Sequence, residues 1–146
     1  MKKPVLFATD FSRLSLVAFP HAVEAAKQYK TELVILHVLP APVTGDALQY
    51  APAMMYAEMK SAVLLRARKE LGRLVERARR AKVRARSRIA EGLAHEEIVR
   101  AAKGLRAGLI VIATHGRSGL SRMLLGSVAM QVIGGASCPV LTIRSR

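Results

Sequence analysis

An α/β fold, an open parallel sheet with helices on both faces, is what this sequence predicts, and two patterns carry the prediction. Short continuous apolar runs rich in β-branched residues recur along the chain, as strands of a doubly covered parallel sheet require. Segments with helical spacing lie between them, and strands alternating with helices predict a parallel sheet.

Val5 to Ala8 is the first run and ends in Thr9-Asp10. Ser15 to Tyr29 places Val17, Ala18, Ala22, Ala25 and Ala26 at helical spacing. Pro20 falls inside this segment and should bend or delay its first turns. Leu33 to Val38 is the second strand. The segment from Pro40 to Met55 lacks a clear period and reads equally as a mobile loop, made adaptable by Met54, Met55 and Met59, or as a simple crossover loop. From about Met55 to Ala81, the residues Val63, Ala67, Leu71, Leu74, Ala78 and Ala81 form one stripe of a long helix. Val83 to Ala90 alternates with period two and carries arginines on one side, which suits a strand at a sheet edge. A helix opens at His95, with Glu96 and Glu97 where the helix dipole favours acids. Leu109 to Ala113 is the fourth strand, Leu124 to Ile133 the last helix, and Val140 to Ile143 the closing strand.

The 146 residues fit one domain, 1–146. Apolar residues make up 51% and aromatics only 4%, so the core must be aliphatic. Cys138 is the only cysteine, so the chain cannot form an internal disulfide. Asp10 interrupts the first apolar run too early for a signal peptide. No segment approaches the ~18 apolar residues of a membrane span. A cytoplasmic protein without a membrane partner is the expectation. The formal charge of +14 raises nucleic acid, anionic membrane and phosphorylated small molecules as partners, and charge alone does not choose among them.

Doubly wound sheets bind ligands beyond the carboxyl ends of their strands, where the strand order reverses. Thr9-Asp10, His37-Val38 and the segment opening at Thr114-His115-Gly116-Arg117-Ser118-Gly119 occupy such positions. Gly116 and Gly119 allow close backbone approach to a ligand. Gly126-Ser127 sits at a helix start, where free N–H groups attract phosphate. Arg117 and Arg122 can add charge. From spacing alone, a glycine-rich turn with a serine cap explains the segment equally well. No Lys precedes Ser127, so there is no P-loop, and no G-x-G-x-x-G follows the first strand.

The chain resembles the universal stress protein family over essentially its whole length. Ala8-Thr9-Asp10-Phe11-Ser12 resembles the family's first strand and turn, and Leu36-His37-Val38 its second strand end. Gly92 to Val99 resembles its G-x-P-x-E-E-I-V segment, with Ala94 in place of Pro. The ATP-binding branch carries G-x2-G-x9-G-[ST]. Here Ala113 replaces the first glycine, and Gly116, Gly126 and Ser127 match in register. Cys138 to Arg144 resembles the closing strand. The resemblance implies a five-stranded sheet in order 3-2-1-4-5, of the adenine nucleotide alpha-hydrolase type. It implies ATP, with Mg²⁺, between the first and fourth strands, adenine near Ala8, Asp10 and Val38. It implies phosphates on the backbone of Ala113, Thr114, His115, Gly116, Arg117, Ser118 and Gly119, and of Gly126, Ser127 and Val128. It also implies a homodimer through Val140–Ile143.

The function expected is that of an ATP-binding stress-response module with a protein partner still to be identified. A slow ATPase or phosphotransferase is an alternative; Asp10 could serve Mg²⁺, but no motif places a second carboxylate. A third reading uses the Arg-rich segment 66–88 for nucleic acid. Charged residues there also serve as a solvated surface, which is the favoured reading. His37 and His115 lack metal-ligand spacing with Cys or acids; His95 reads as a surface residue at a helix start and His21 as a structural residue on a helix.

Overall fold

The computed structural model describes residues 2–41, 52–114 and 126–144. The elements are β1 (Val5–Ala8), α1 (Arg13–Leu16), α2 (Phe19–Gln28), β2 (Leu33–Leu39), α3 (Ala53–Arg80), β3 (Ala85–Glu91), α4 (Ala94–Leu105), β4 (Leu109–Ala113), α5 (Ser127–Gly135) and β5 (Val140–Ile143). The strands form one parallel sheet in order β3-β2-β1-β4-β5, as expected.

The continuous apolar runs are explained by burial on both faces. Val5, Phe7, Leu33, Ile35, Leu109, Val111 and Ala113 pack with α2 and α3 on one face. Leu6, Ala8, Val34, Leu36, Ile110 and Ile112 pack with α4 and α5 on the other. The core is aliphatic apart from Phe7 and Phe19, whose tilted rings lie 5.6 Å apart. Cys138 is half-buried beside the α4–α5 cluster. Burial raises its thiol pKa, and the charge of Lys3 acts against that rise.

Pro20 divides the first helical segment into two. It has no N–H to donate to Leu16, so α1 stops and α2 restarts with the proline in its first turn. Val83 belongs to the turn after α3 rather than to the strand: its N–H donates to the carbonyl of Ala78. The last helix starts at Ser127. Residues 124–125, where the sequence placed its start, and most of the expected loop, residues 42–51, lie outside the described residues. Gly92, with φ of +147°, turns β3 into α4, and its N–H donates to Leu39.

Val63 departs from the expected stripe. Ala67, Leu71, Leu74 and Ala78 are buried as predicted, whereas Val63 is half exposed. The reason is length. A 28-residue helix spans ~42 Å and a seven-residue strand ~23 Å. Because α3 runs back along the sheet into β3, its first half projects past the carboxyl ends of the strands. The ion pair of Lys60 with Glu91, the last residue of β3, marks where the sheet stops. No helix among the described residues is long and apolar enough to cross a membrane.

The basic segment 66–88, read from sequence as one surface, is split between two. Ile89 packs with α3. Arg86 and Arg88 pair in register with Val34 and Leu36, whose side chains face α4 and α5. The arginines of β3 therefore occupy the sheet face opposite α3, because side chains alternate along a strand.

The buried stripe of α3 holds the largest single contact with the sheet. Leu71→Ala should lower unfolding free energy by about 2–5 kcal/mol, read from urea denaturation. Val63→Ala, at an exposed position of the same stripe, should lower it by less than about 1 kcal/mol.

Candidate functional site

A cavity of about 350 Å³ opens at the carboxyl ends of β1 and β4, where the strand order reverses. That size lies within the range of small-molecule sites. Its walls come from the ends of the central strands and from α1, α4 and α5. The end of β1 supplies Ala8, Thr9 and Asp10, and β2 supplies Val38. Ala113 and Thr114 come from the end of β4, and Gly126, Ser127 and Val128 from the start of α5. Of the described residues that the sequence placed at ligand-binding positions, all but His37 border this cavity. His115, Gly116, Arg117, Ser118 and Gly119 lie outside the described residues, as does Arg122.

The turn after β1 is held by polar side chains. Thr9 is buried, and its Oγ1 accepts the N–H of Phe11 at 3.0 Å and lies 2.8 Å from Ser15 Oγ. Ser15 Oγ donates to the carbonyl of Ser12, so Thr9 is left to donate to Ser15. Asp10 Oδ1 accepts the N–H of Ser12 at 2.9 Å, and Ser12 Oγ caps α1 through the N–H of Ser15. Phe11 adopts φ of 63°, an uncommon conformation for a residue with a side chain. These bonds hold it there. Asp10 therefore shapes the turn as well as lining the cavity.

His37 joins the same turn from β2. Its Nδ1 lies 2.8 Å from the carbonyl oxygen of Thr9, which can only accept, so Nδ1 carries the proton. Its ring stacks on Phe11 at 4.3 Å. The side chain positions the β1 turn. His21 is exposed on α2.

On the other side, Thr114 links three elements. Its N–H donates to Ile143 of β5, and its carbonyl accepts the N–H of Gly126 at the start of α5. No side chain caps α5. Its first-turn N–H groups, which have no partner within the helix, lie at the cavity wall.

Ala113 is compatible with this geometry for two reasons. It is not among the non-glycine residues with positive φ, so its backbone is open to any residue. Its methyl group packs with the α2–α3 cluster, on the sheet face away from α4 and α5. The residue as a whole still borders the cavity.

Sequence reasoning missed Ser15, Leu36, Ala94, Ile98, Ile112 and Ala129 in the lining. Leu36 and Ile112 belonged to predicted strands, and Ile98 to a predicted helix. Their strand register and helix phase could have suggested a shared face, but only packing joins them at the cavity. Among the described residues no three His, Cys, Asp or Glu side chains form a group that could hold a metal. Asp10 is the only acid among the described lining residues.

Thr9→Val should destabilise the protein by about 1–3 kcal/mol in denaturant unfolding, because the N–H of Phe11 loses its acceptor. In a double-mutant cycle with Ser15→Ala, the two losses should sum to more than the double variant shows, since the residues share one bond.

The universal stress protein family matches residues 1–144. Universal stress protein YxiE of Bacillus subtilis is 37% identical over 99% of this chain and 100% of its own length. The structure of MJ0577, a universal stress protein of Methanocaldococcus jannaschii, superposes with a TM-score of 0.82 at 27% identity, covering 100% of this chain and 98% of that one. A universal stress protein in complex with cAMP superposes with a TM-score of 0.69 at 25% identity, covering 99% and 98%. The chain belongs to the universal stress protein family.

Proposed function

We propose that the cavity binds ATP and that the protein is a nucleotide-binding regulatory module of a stress response. The observation that carries this reading is the cavity at the β1–β4 reversal, apolar on one side and edged by the uncapped start of α5 on the other. Adenine fits against Ala8 and Val38, with Asp10 beside it, and phosphate fits the N–H groups from Gly126 to Val128. The segment His115–Gly119 would complete the phosphate contacts. The cAMP complex of a relative supports an adenine nucleotide as the ligand class.

Magnesium fits this arrangement as an ion held mainly by the nucleotide. Among the described residues one carboxylate, Asp10, lines the cavity, and Mg²⁺ is commonly held by one or two carboxylates with substrate phosphates. It would neutralise phosphate charge there. Phosphoryl transfer also needs a base beside the γ-phosphate. The described lining supplies no second carboxylate, so hydrolysis is expected to be slow or absent.

Calorimetric titration of nucleotide-stripped protein with ATP and Mg²⁺ tests the proposal. The wild type should bind saturably and Gly126→Val should not. Gly126 has φ of −53°, which valine tolerates, so the variant should fold and lose only the close approach of the ligand. Binding of equal strength by both proteins would sink the assignment.

Strand β5 is an edge of the sheet, and Leu141 is partly exposed on it. An apolar edge favours a pairing partner, and we read it as the homodimer contact. Sedimentation at micromolar protein should show a dimer for the wild type and a monomer for Leu141→Lys. A wild-type monomer at every concentration would remove the dimer from the proposal.

A further inference from the structure

Eleven of the 24 Lys and Arg residues lie between Arg66 and Arg88, against two acids. With the arginines of β3 assigned to the opposite sheet face, the helix α3 carries its own ordered subset. Arg66, Lys69, Arg73, Arg77 and Arg80 follow at steps of three or four residues, so they form one line along the helix. All five are exposed, and the line is ~21 Å long. The sheet-facing residues Ala67, Leu71, Leu74 and Ala78 lie on the other side. Arg68 and Arg79 are exposed on the second flank.

Little offsets this charge. Glu70 pairs with Arg73 at 2.8 Å and Glu76 with Arg79 at 3.0 Å. Both are exposed pairs between neighbours on one helix, which contribute little and are readily exchanged for another anion. Arg77 sits 4.9 Å from the centre of the Phe19 ring, a contact that leaves its charge intact. Stability alone gives no reason for five like charges in a row, since like charges at these spacings are unfavourable.

We propose that this line of α3 binds the phosphate backbone of duplex DNA, independently of the nucleotide pocket. The straight cationic row matches a regular array of phosphates. The major groove of B-DNA admits an α-helix, whereas the A-form groove of duplex RNA is too narrow. No aromatic residue lies along the line, which removes the stacking on which single-strand binders depend. Contacts to phosphate carry no sequence information, so binding through this line is without sequence preference.

Fluorescence anisotropy with a labelled mixed-sequence DNA duplex tests this between about 50 and about 200 mM salt. Five phosphate contacts give a slope of about −4.5 for log K against log salt, a loss of roughly 500-fold over that range. The triple variant Arg66→Gln, Lys69→Gln, Arg80→Gln removes none of the ion pairs or the ring contact described above. Its slope should fall to about −1.8, a loss of roughly 12-fold. A charge-matched triple away from this line, Arg84→Gln, Arg88→Gln, Lys103→Gln, should keep the wild-type slope. Gly126→Val should also bind DNA as the wild type does. Equal weakening by both triples would mean net charge alone attracts the duplex, and overturns the proposal. So would absence of duplex binding at the lowest salt, or tighter binding to single-stranded DNA, duplex RNA or phosphatidylglycerol vesicles.

Discussion

Parallel strands in one sheet must be joined by crossovers that pass over a face, and those crossovers are right-handed. Successive connections stepping one way along the sheet therefore lay their helices on one side, and connections stepping the other way lay theirs on the opposite side. Here β1 to β3 step outward in one direction, with α2 and α3 on one face. The chain then returns to the other side of β1, and α4 and α5 cover the second face. At β1 and β4 the connections leave toward opposite faces, so no helix closes the gap between their ends. The cavity follows from that divergence rather than from any one residue.

A gap left by topology needs rigid edges before it can recognise anything. The edge at β1 is built from Thr9, Ser12, Ser15 and His37, which bond one another and the main chain of the turn, with Thr9 and Ser15 buried. They hold Phe11 in a conformation it would not adopt alone. The edge at β4 is built from backbone: Thr114 bonds both the last strand and the start of α5. One wall is thus fixed by side chains and the other by main chain. The main-chain wall leaves helix N–H groups facing the cavity, which is the chemistry an anion requires.

The two charged regions of segment 66–88 show how a single run of sequence is parted by secondary structure. Residues on α3 are arranged by a period near 3.6 and those on β3 by a period of two, and the two elements meet at one edge of the sheet. Charged side chains on an edge strand such as β3 disfavour pairing with other chains. The helix cations, drawn into a line, have a geometry that edge protection does not require.

The strands, the class of fold and the candidate turns were legible in the sequence, because burial on both faces writes itself as unbroken apolar runs and a helix writes its period. The β1 end and Val38 were legible because each stands at the end of a strand, and Gly126-Ser127 because it lies near a helix start; Ala113 was marked by the resemblance to the G-x2-G-x9-G-[ST] motif. Local pattern could not show that Ala113 turns its methyl group to the α2–α3 face, that His37 braces Thr9, or that Ile98, Ile112 and Ala129 share a wall. It also could not show that Val63 stands beyond the sheet, since a stripe records phase along a helix and not what lies opposite it. Sequence determined which residues must hide from water. The tertiary structure alone decided which of them meet, because that depends on register and on the face each crossover takes.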